Sequence, residues 1–521
     1  MLSNQQSTRM TAYPGRALLV LVLLVLVSTV LAVSPAQAQQ NAPAADSAEA
    51  AAPRPDAAQP PVSQPPCAGE GRNCPVLDLP AFLSRVLRSN PEVRSLRLED
   101  DRAVARIQDA RGQFDPHLVS GYEYKTQAGK DKLNVLRTGV TLPFNLPLSP
   151  SLLVDYRRGL GSSIDPSVGT TFDGETSIGL ALEPLSGLFL DKKQATLSKA
   201  RLEPRRVNAL QAEERNRLLL DATKAYYKWV EAARKQQINQ DLLDLATQRR
   251  DLITRRVRSG EAAAIDSTEA QLAVANRRER LAAAQQTAEK AEVKLAAFLW
   301  TTDGRPDAFA FAPPPSIDLP ETNGLDRSAA TETARSRRPE LRRLAVKRQQ
   351  TQIEERLATS QQRPNLKLKA QAVSYENGPM DVSDVKVGFE IEQPLFFRSS
   401  RSEAERARLE TQQIRLKQDL TRRKIEADVD AALVDLRQAR RRVEAARERV
   451  RLARRLQQAE RRRFEIGEST LFLVNQREQS FAKARKSLVA ARIDVARAYA
   501  QVQWATGTIA DSLSPVGLSV N

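Results

Sequence analysis

Between Ala427 and Thr506 the apolar positions recur every seven residues. In the first part Val429, Leu436, Val443 and Val450 form one row, and Ala432, Ala439, Ala446 and Ala453 form a second. Beyond Ile466-Gly467-Glu468-Ser469 the pattern resumes with Val474, Phe481, Leu488, Val495 and Val502 beside Ala484, Ala491, Ala498 and Ala505. Two rows at heptad spacing are the a/d seam of a coiled coil, and an Ala row lets two backbones approach closely. The short Gly-bearing link makes the two helices antiparallel neighbours.

The stretch has a copy. Shifted back by 207 residues, Gly467 falls on Gly260, Arg463 on Arg256 and Glu468 on Glu261. Phe481, Leu488, Val495 and Val502 fall on Val274, Leu281, Ala288 and Leu295. Two seams and a turn aligned at one offset mark an internal duplication. A second pair of matches extends it. Asn90-Pro91-Glu92 and Asp115-Pro116 reappear 248 residues on as Arg338-Pro339-Glu340 and Arg363-Pro364. Each half thus reads as a helix, a Pro-marked break, strands and a long helical hairpin. One helix is expected from near Leu79 to Gly112, and another long helix from Arg205 to Val257.

The period changes to two after the second break. Leu366, Leu368, Ala370 and Ala372 alternate with polar residues, and so do Val385, Val387, Phe389 and Ile391 across the turn at Glu376-Asn377-Gly378-Pro379. Each run has the length of a tilted strand crossing a bilayer, with one apolar and one charged face. The apolar eight are the candidate lipid-facing residues, although a soluble antiparallel sheet alternates in the same way. The first half is longer, 68 residues from Pro116 to Pro184 against 30 from Pro364 to Pro394. Its extra length holds the runs Leu136 to Phe144 and Leu152 to Tyr156, before Ile178, Leu180 and Leu182. Up to four strands are expected there and two in the second half. The extra pair either enlarges a barrel or forms an extracellular hairpin.

The ends and joints follow. Residues 1–38 read as a secretory signal, with Arg9 and Arg16, the apolar run Leu18 to Val33 and Ala36-Gln37-Ala38. Residues 39–76 are a Pro/Ala-rich linker carrying Cys67 and Cys74, a candidate disulfide in an oxidising compartment. Residues 77–300 form the first repeat, with strands about 117–184 and a tip near 260. Residues 301–330 are a connector. Residues 331–510 form the second repeat, with strands about 365–393 and a tip near 467, and 511–521 are a tail. Composition suits long solvated helices: 27% charged and 5% aromatic residues, with a net charge of +17. Arg lies among Glu on helical faces, which favours i,i+4 pairing over a nucleic-acid surface.

Catalytic chemistry is missing. His117 is the only histidine and sits at a strand start, so no Ser/His/Asp set can be built. No phosphate-cradling Gly-rich loop with Lys and no Cys/His set with metal spacing occurs. Trp229, Trp300 and Trp504 read as packing residues. The expectation is a non-enzyme without cofactors.

With the duplication, the breaks and the hairpins in hand, the chain resembles the TolC-type outer-membrane factor family over about residues 77 to 510. The residues that carry the resemblance are Asn90-Pro91-Glu92, Arg338-Pro339-Glu340, Glu392-Gln393-Pro394-Leu395-Phe396, Arg463-Phe464-Glu465-Ile466-Gly467 and Tyr499 to Gly507. The resemblance implies a mainly α fold with β, a homotrimer whose strands close one transmembrane β-barrel in outer-membrane lipid, and helices forming a periplasmic α-barrel. It implies an exit duct for efflux or type I secretion, served by a periplasmic adaptor (membrane fusion) protein and an inner-membrane pump. It places the tip and adaptor contact at Arg258, Ser259, Gly260, Glu261, Ile466, Gly467, Glu468 and Ser469. Family pores often close with carboxylates six and nine residues past the second tip Gly; here those positions are Leu473 and Gln476. Asp266 and Glu269 hold the equivalent places in the first hairpin, and Phe472 joins Leu473 as a candidate constriction. The rival reading is a soluble periplasmic coiled-coil adaptor or scaffold.

Overall fold

The computed structural model describes residues 75–128, 130–161, 174–185, 190–317, 319–320, 326–375, 384–393 and 395–511. The expected signal, the linker with Cys67 and Cys74, the turn at Glu376 to Pro379 and the tail after Asp511 lie outside them. The described elements run α1 (Leu79–Ser89), α2 (Pro91–Gly112), β1 (His117–Gln127), β2 (Lys130–Pro143), β3 (Ser151–Gly161), β4 (Glu175–Leu182), α3 (Lys192–Arg258) and α4 (Ala264–Ala296). The second half follows with α5 (Arg327–Arg337), α6 (Pro339–Ser360), β5 (Asn365–Tyr375), β6 (Asp384–Glu392), α7 (Arg398–Glu465) and α8 (Leu471–Thr506).

Helices of the two halves pair in length. α1 and α5 have 11 residues each, α2 and α6 have 22 each, α3 and α7 have 67 and 68, and α4 and α8 have 33 and 36. At 1.5 Å per residue α3 is about 100 Å long. It starts 13 residues before the expected Arg205 and carries Pro204 inside it. Pro costs one backbone hydrogen bond there. Side-chain ties to Glu203 hold the segment: Arg206 donates to it at 2.7 Å and Gln350 at 3.2 Å, and Arg106 pairs with it.

The single helix expected from Leu79 to Gly112 is two. Asn90 is extended (φ −63°, ψ 130°), because the ring of Pro91 disfavours helix at the residue before it. Its carboxamide then caps α2 by accepting from the Glu92 N–H at 2.9 Å. Arg338 before Pro339 takes the same backbone form but has no capping oxygen. Its guanidinium is buried instead over the Trp504 ring, 4.1 Å from the centroid, and pairs with Glu340 at 2.9 Å. That contact ties the α5–α6 break to the end of α8.

The heptad rows are the seam. Val429, Leu436, Val443, Ala432, Ala439 and Ala446 of α7 are buried with Val495, Val502, Ala491, Ala498 and Ala505 of α8. A second core joins α1, α3 and α4 through Phe82, Val86, Leu219, Trp229, Leu295 and Leu299. The connector is packed there too, since Phe309 stacks edge-on against Trp229 with centroids 5.4 Å apart. Among the described residues no helix is long and apolar enough to cross a membrane.

The six strands form one antiparallel sheet in the order β1-β2-β3-β4-β5-β6. Both expected runs of the second half are strands, and the first half supplies four. β2 begins earlier than Leu136 and stops at Pro143, so Phe144 lies in the turn.

Candidate functional site

Packing order gives the molecule two free flanks. α3 packs against α2 and α4, and on its other side against α6 and α8, which in turn pack against α7. The helical layer therefore ends in α2 and α4 on one flank and in α7 on the other. The sheet ends the same way, because β1 follows α2 and β6 precedes α7. Large apolar side chains stand exposed on these flanks. α4 shows Ile265, Leu272 and Val293, and α7 shows Leu416, Leu420, Val434, Leu452 and Leu456. On α7 they join Ala427, Ala431 and Ala445, also exposed, in a stripe opposite the seam that α8 covers. A coiled-coil helix with two apolar stripes has room for partners on both, and within the chain α8, α6 and α5 pack against α7 while this second stripe stays exposed.

The two faces of the sheet differ. Register aligns Leu118, Val140, Val154, Ile178, Ala372 and Val385 on one face across all six strands. Leu366, Leu368, Ala370, Val387, Phe389 and Ile391 share that face. The other face carries Arg137, Asp155, Glu175, Gln371 and Lys386, which line one hollow with Ser177. Gln371 donates to Asp155 at 3.0 Å. This polar face is the crowded one. A Cβ on Gly139 would lie 2.1 Å from the Asp155 carboxylate, and one on Gly179 2.5 Å from the Gln371 side chain. On β2 the polar-face Val135 is 0% exposed, while Leu136 on the apolar face is 40% exposed. The sheet thus presents charge on one face and hydrocarbon on the other, and its central strands are closely packed on the charged face.

At the far end the hairpin tips match. Gly260 and Gly467 have φ of +79° and +82°, where an L side chain is strained. The Glu261 N–H donates to Arg256 O at 2.8 Å, and the Glu468 N–H donates to Arg463 O at 2.8 Å. Both turns thus close with the six-to-one bond of a Schellman ending. The same residues face each other as ion pairs at 3.8 and 3.9 Å. Arg258, Ser259, Glu261, Ile466 and Glu468 are exposed at these turns, and the Ser469 hydroxyl bonds Glu460 at 2.5 Å. Phe472 and Gln476 are exposed one turn apart on α8; Leu473, Asp266 and Glu269 are half-buried.

The sequence reading missed the ties that hold the two hairpins together above the tips. Arg249 of α3 forks onto Glu478 of α8, with the Nη1 bond at 2.8 Å, and also reaches Asn475 at 3.3 Å. Glu478 is 2% exposed. Arg485 reaches Asp241 at 3.2 Å and Arg497 reaches Glu231 at 3.3 Å. The available signal was Glu478 itself, a carboxylate four residues after the seam residue Val474. Arg277 of α4 is buried beside this knot, and burial pulls its guanidinium below the usual range while Glu478 pulls it back up.

Comparison with known proteins follows the same lines. Residues 330–508 match the family model described as outer membrane efflux protein. Among curated proteins none matches the chain. Among solved structures, the outer membrane protein VceC of Vibrio cholerae aligns with a TM-score of 0.62 at 14% identity, over 82% of this chain and 96% of that one. The outer membrane channel MtrE of Neisseria gonorrhoeae aligns at 0.58 and 17% identity, over 83% and 89%. The outer membrane channel CmeC of Campylobacter jejuni aligns at 0.57 and 14% identity, over 83% and 86%. At such identities the likeness is one of fold.

Proposed function

We propose that this chain, which carries an outer membrane efflux protein domain on the fold of TolC-type outer-membrane channels, is one stave of a passive exit duct. Copies join edge to edge, α7 and β6 of one against α4, α2 and β1 of the next. Such head-to-tail contacts close into a ring when the rotation allows it. Three copies form the duct, with the sheets in outer-membrane lipid and the helices reaching through the periplasm.

The observation that carries this reading is the sheet with one charged and one apolar face, left open at both edges among the described residues. Open strand edges cannot remain unpaired in lipid, so sister chains must complete them. The same apolar face disfavours a soluble scaffold, which would leave it in water. The matched helix lengths support the internal duplication. The matched turns at Gly260 and Gly467 are the periplasmic tip, where an adaptor docks, and an inner-membrane pump supplies the energy. Phe472 and Gln476 line the narrowest part of the tip with Asp266 and Glu269 of the first hairpin, in place of a second carboxylate ring.

Reconstitution of the purified oligomer in planar bilayers tests this function. Stepwise ionic current is expected. Absence of current at every applied voltage, with the oligomer intact, would refute the duct.

A further inference from the structure

The extra strands of the first half have a definite place. By the repeat, β1 after Asp115-Pro116 corresponds to β5 after Arg363-Pro364, and β4 before Pro184 corresponds to β6. In the second half these two positions are direct neighbours, because β5 pairs with β6. In the first half β2 and β3 stand between them, each bonded on both sides. The insertion is thus in the middle of the sheet and cannot fold away without breaking it.

We propose that β1 of one copy pairs with β6 of the next, so that each chain gives six strands to a single barrel of eighteen in a ring of three. This rests on the ring of three copies proposed above. Three observations support it, two on the inserted pair and one on the edge strands. Its apolar residues, Leu136, Val140, Leu142, Leu152, Val154 and Tyr156, lie in register with the apolar face of the other strands. Its inner turn is moored to the head of α3. The Leu146 carbonyl accepts from Gln194 at 3.1 Å, the Glu183 N–H donates to Leu148 O at 2.9 Å, and Ser149 bonds the capping carboxylate of Asp191. That turn therefore sits at the same level as the helix–strand junctions, as a barrel turn should.

The third observation is at the edges. On the polar face a Cβ at Gly139 would strike the Asp155 side chain, and one at Gly179 the Ala370 carbonyl and Gln371 of the adjoining strand, whereas a Cβ at Gly121 or Gly388 would meet nothing within 4 Å. Gly121 and Gly388 belong to the two edge strands, and each lies four residues from the helix-side end of its strand. They stand at one height on the two edges that closure brings together. Neighbouring strands about 4.8 Å apart and tilted about 40° give an eighteen-strand ring a backbone diameter of about 36 Å. Four strands per chain would give about 24 Å by the same geometry. The insertion thus widens the membrane mouth without lengthening any strand.

The test uses the full-length protein in outer membranes, with Gly121→Cys and Gly388→Cys together and each alone, treated with a short thiol-to-thiol crosslinker. The double variant is expected to give a covalent ladder that stops at three chains, and the single variants none. An intact oligomer without a ladder would overturn the β1–β6 junction while leaving the ring standing. A ladder-free monomer in wild-type membranes would instead overturn the ring itself. Electron cryomicroscopy of the wild-type oligomer then counts the strands directly. Eighteen supports the proposal, and twelve, with β2 and β3 outside the wall, refutes it.

Discussion

Breaking the Arg249–Glu478 pair should loosen α8 from α3 over the tip half of the molecule. Around the pair the apolar contacts between these helices are few, Ile238, Leu242, Ala482 and Val489 higher up and Ile253 and Leu471 lower down, with the exposed Arg485–Asp241 bridge between. Side-chain exposure is 12% for Arg249 and 2% for Glu478, so the pair is effectively dry. Removing one partner of a buried pair costs about 3–5 kcal/mol, because the remaining charge is left without solvent or counter-ion. The two single changes should differ. In Arg249→Met, Glu478 keeps the attraction of Arg277, so the cost falls near the low end, about 3 kcal/mol. In Glu478→Gln, Arg249 and Arg277 remain as two buried like charges, and the cost approaches about 5 kcal/mol. The double change Arg249→Met with Glu478→Leu removes both charges and should restore most of the loss. Hydrogen exchange of the α8 amides from Leu471 to Arg485 reads the effect, since about 3 kcal/mol of local opening speeds exchange by more than about 100-fold. Equal costs for the two single changes, or additive costs in the double, would refute the assignment of Glu478 as the shared counter-ion.

Other outcomes follow from the same structure. Gly467→Ala should destabilise by about 1–2 kcal/mol through backbone strain alone, since no atom lies within 4 Å of the new Cβ, and thermal melting of helicity measures it. Gly260→Ala should cost the same amount; a loss of twice that at either tip would mean an unseen contact. Val434→Glu on the exposed stripe of α7 should convert the oligomer to monomers with unchanged helicity, and an intact oligomer on native gels would contradict a sister-chain contact there. The Glu203 carboxyl is held below its ordinary value of 4.5, chiefly by its bonds from Arg206 and then by Gln350 and Arg106, against the opposing effect of burial. A carboxyl lowered by folding stabilises the fold fully above its unfolded value, and that stability is lost as pH falls through the folded value. Glu203→Gln should therefore flatten the loss of stability at the α2–α3–α6 contact as pH falls below the ordinary value of 4.5, and a melting profile still as steep there would place its cause elsewhere.

Much of this architecture is legible in the sequence, for physical reasons. The Val and Ala rows of α7 and α8 are periodic because one partner helix covers one face throughout, and a period of seven reports that directly. Gly260 and Gly467 mark turns because only glycine takes a positive φ without strain. What escaped has equally physical causes. The chain through Pro204 reads as a helix start, because nothing local reveals that Arg106, Arg206 and Gln350 will converge on Glu203. The break at Asn90 was hidden inside a longer helical pattern, although Pro91 carries its signal. Alternation identified β2 and β3 as strands, but it specifies faces and not neighbours, so their place between β1 and β4 came only from register. Arg249 and Glu478 lie 229 residues apart, and no spacing rule connects them.

The most direct test is the native mass of the species extracted from outer membranes in mild detergent. A discrete assembly of three chains is expected from the proposed ring, in which sister chains cover the two open sheet edges and the two open helical flanks. A folded monomer, with its sheet laid against its own helices, would contradict the duct.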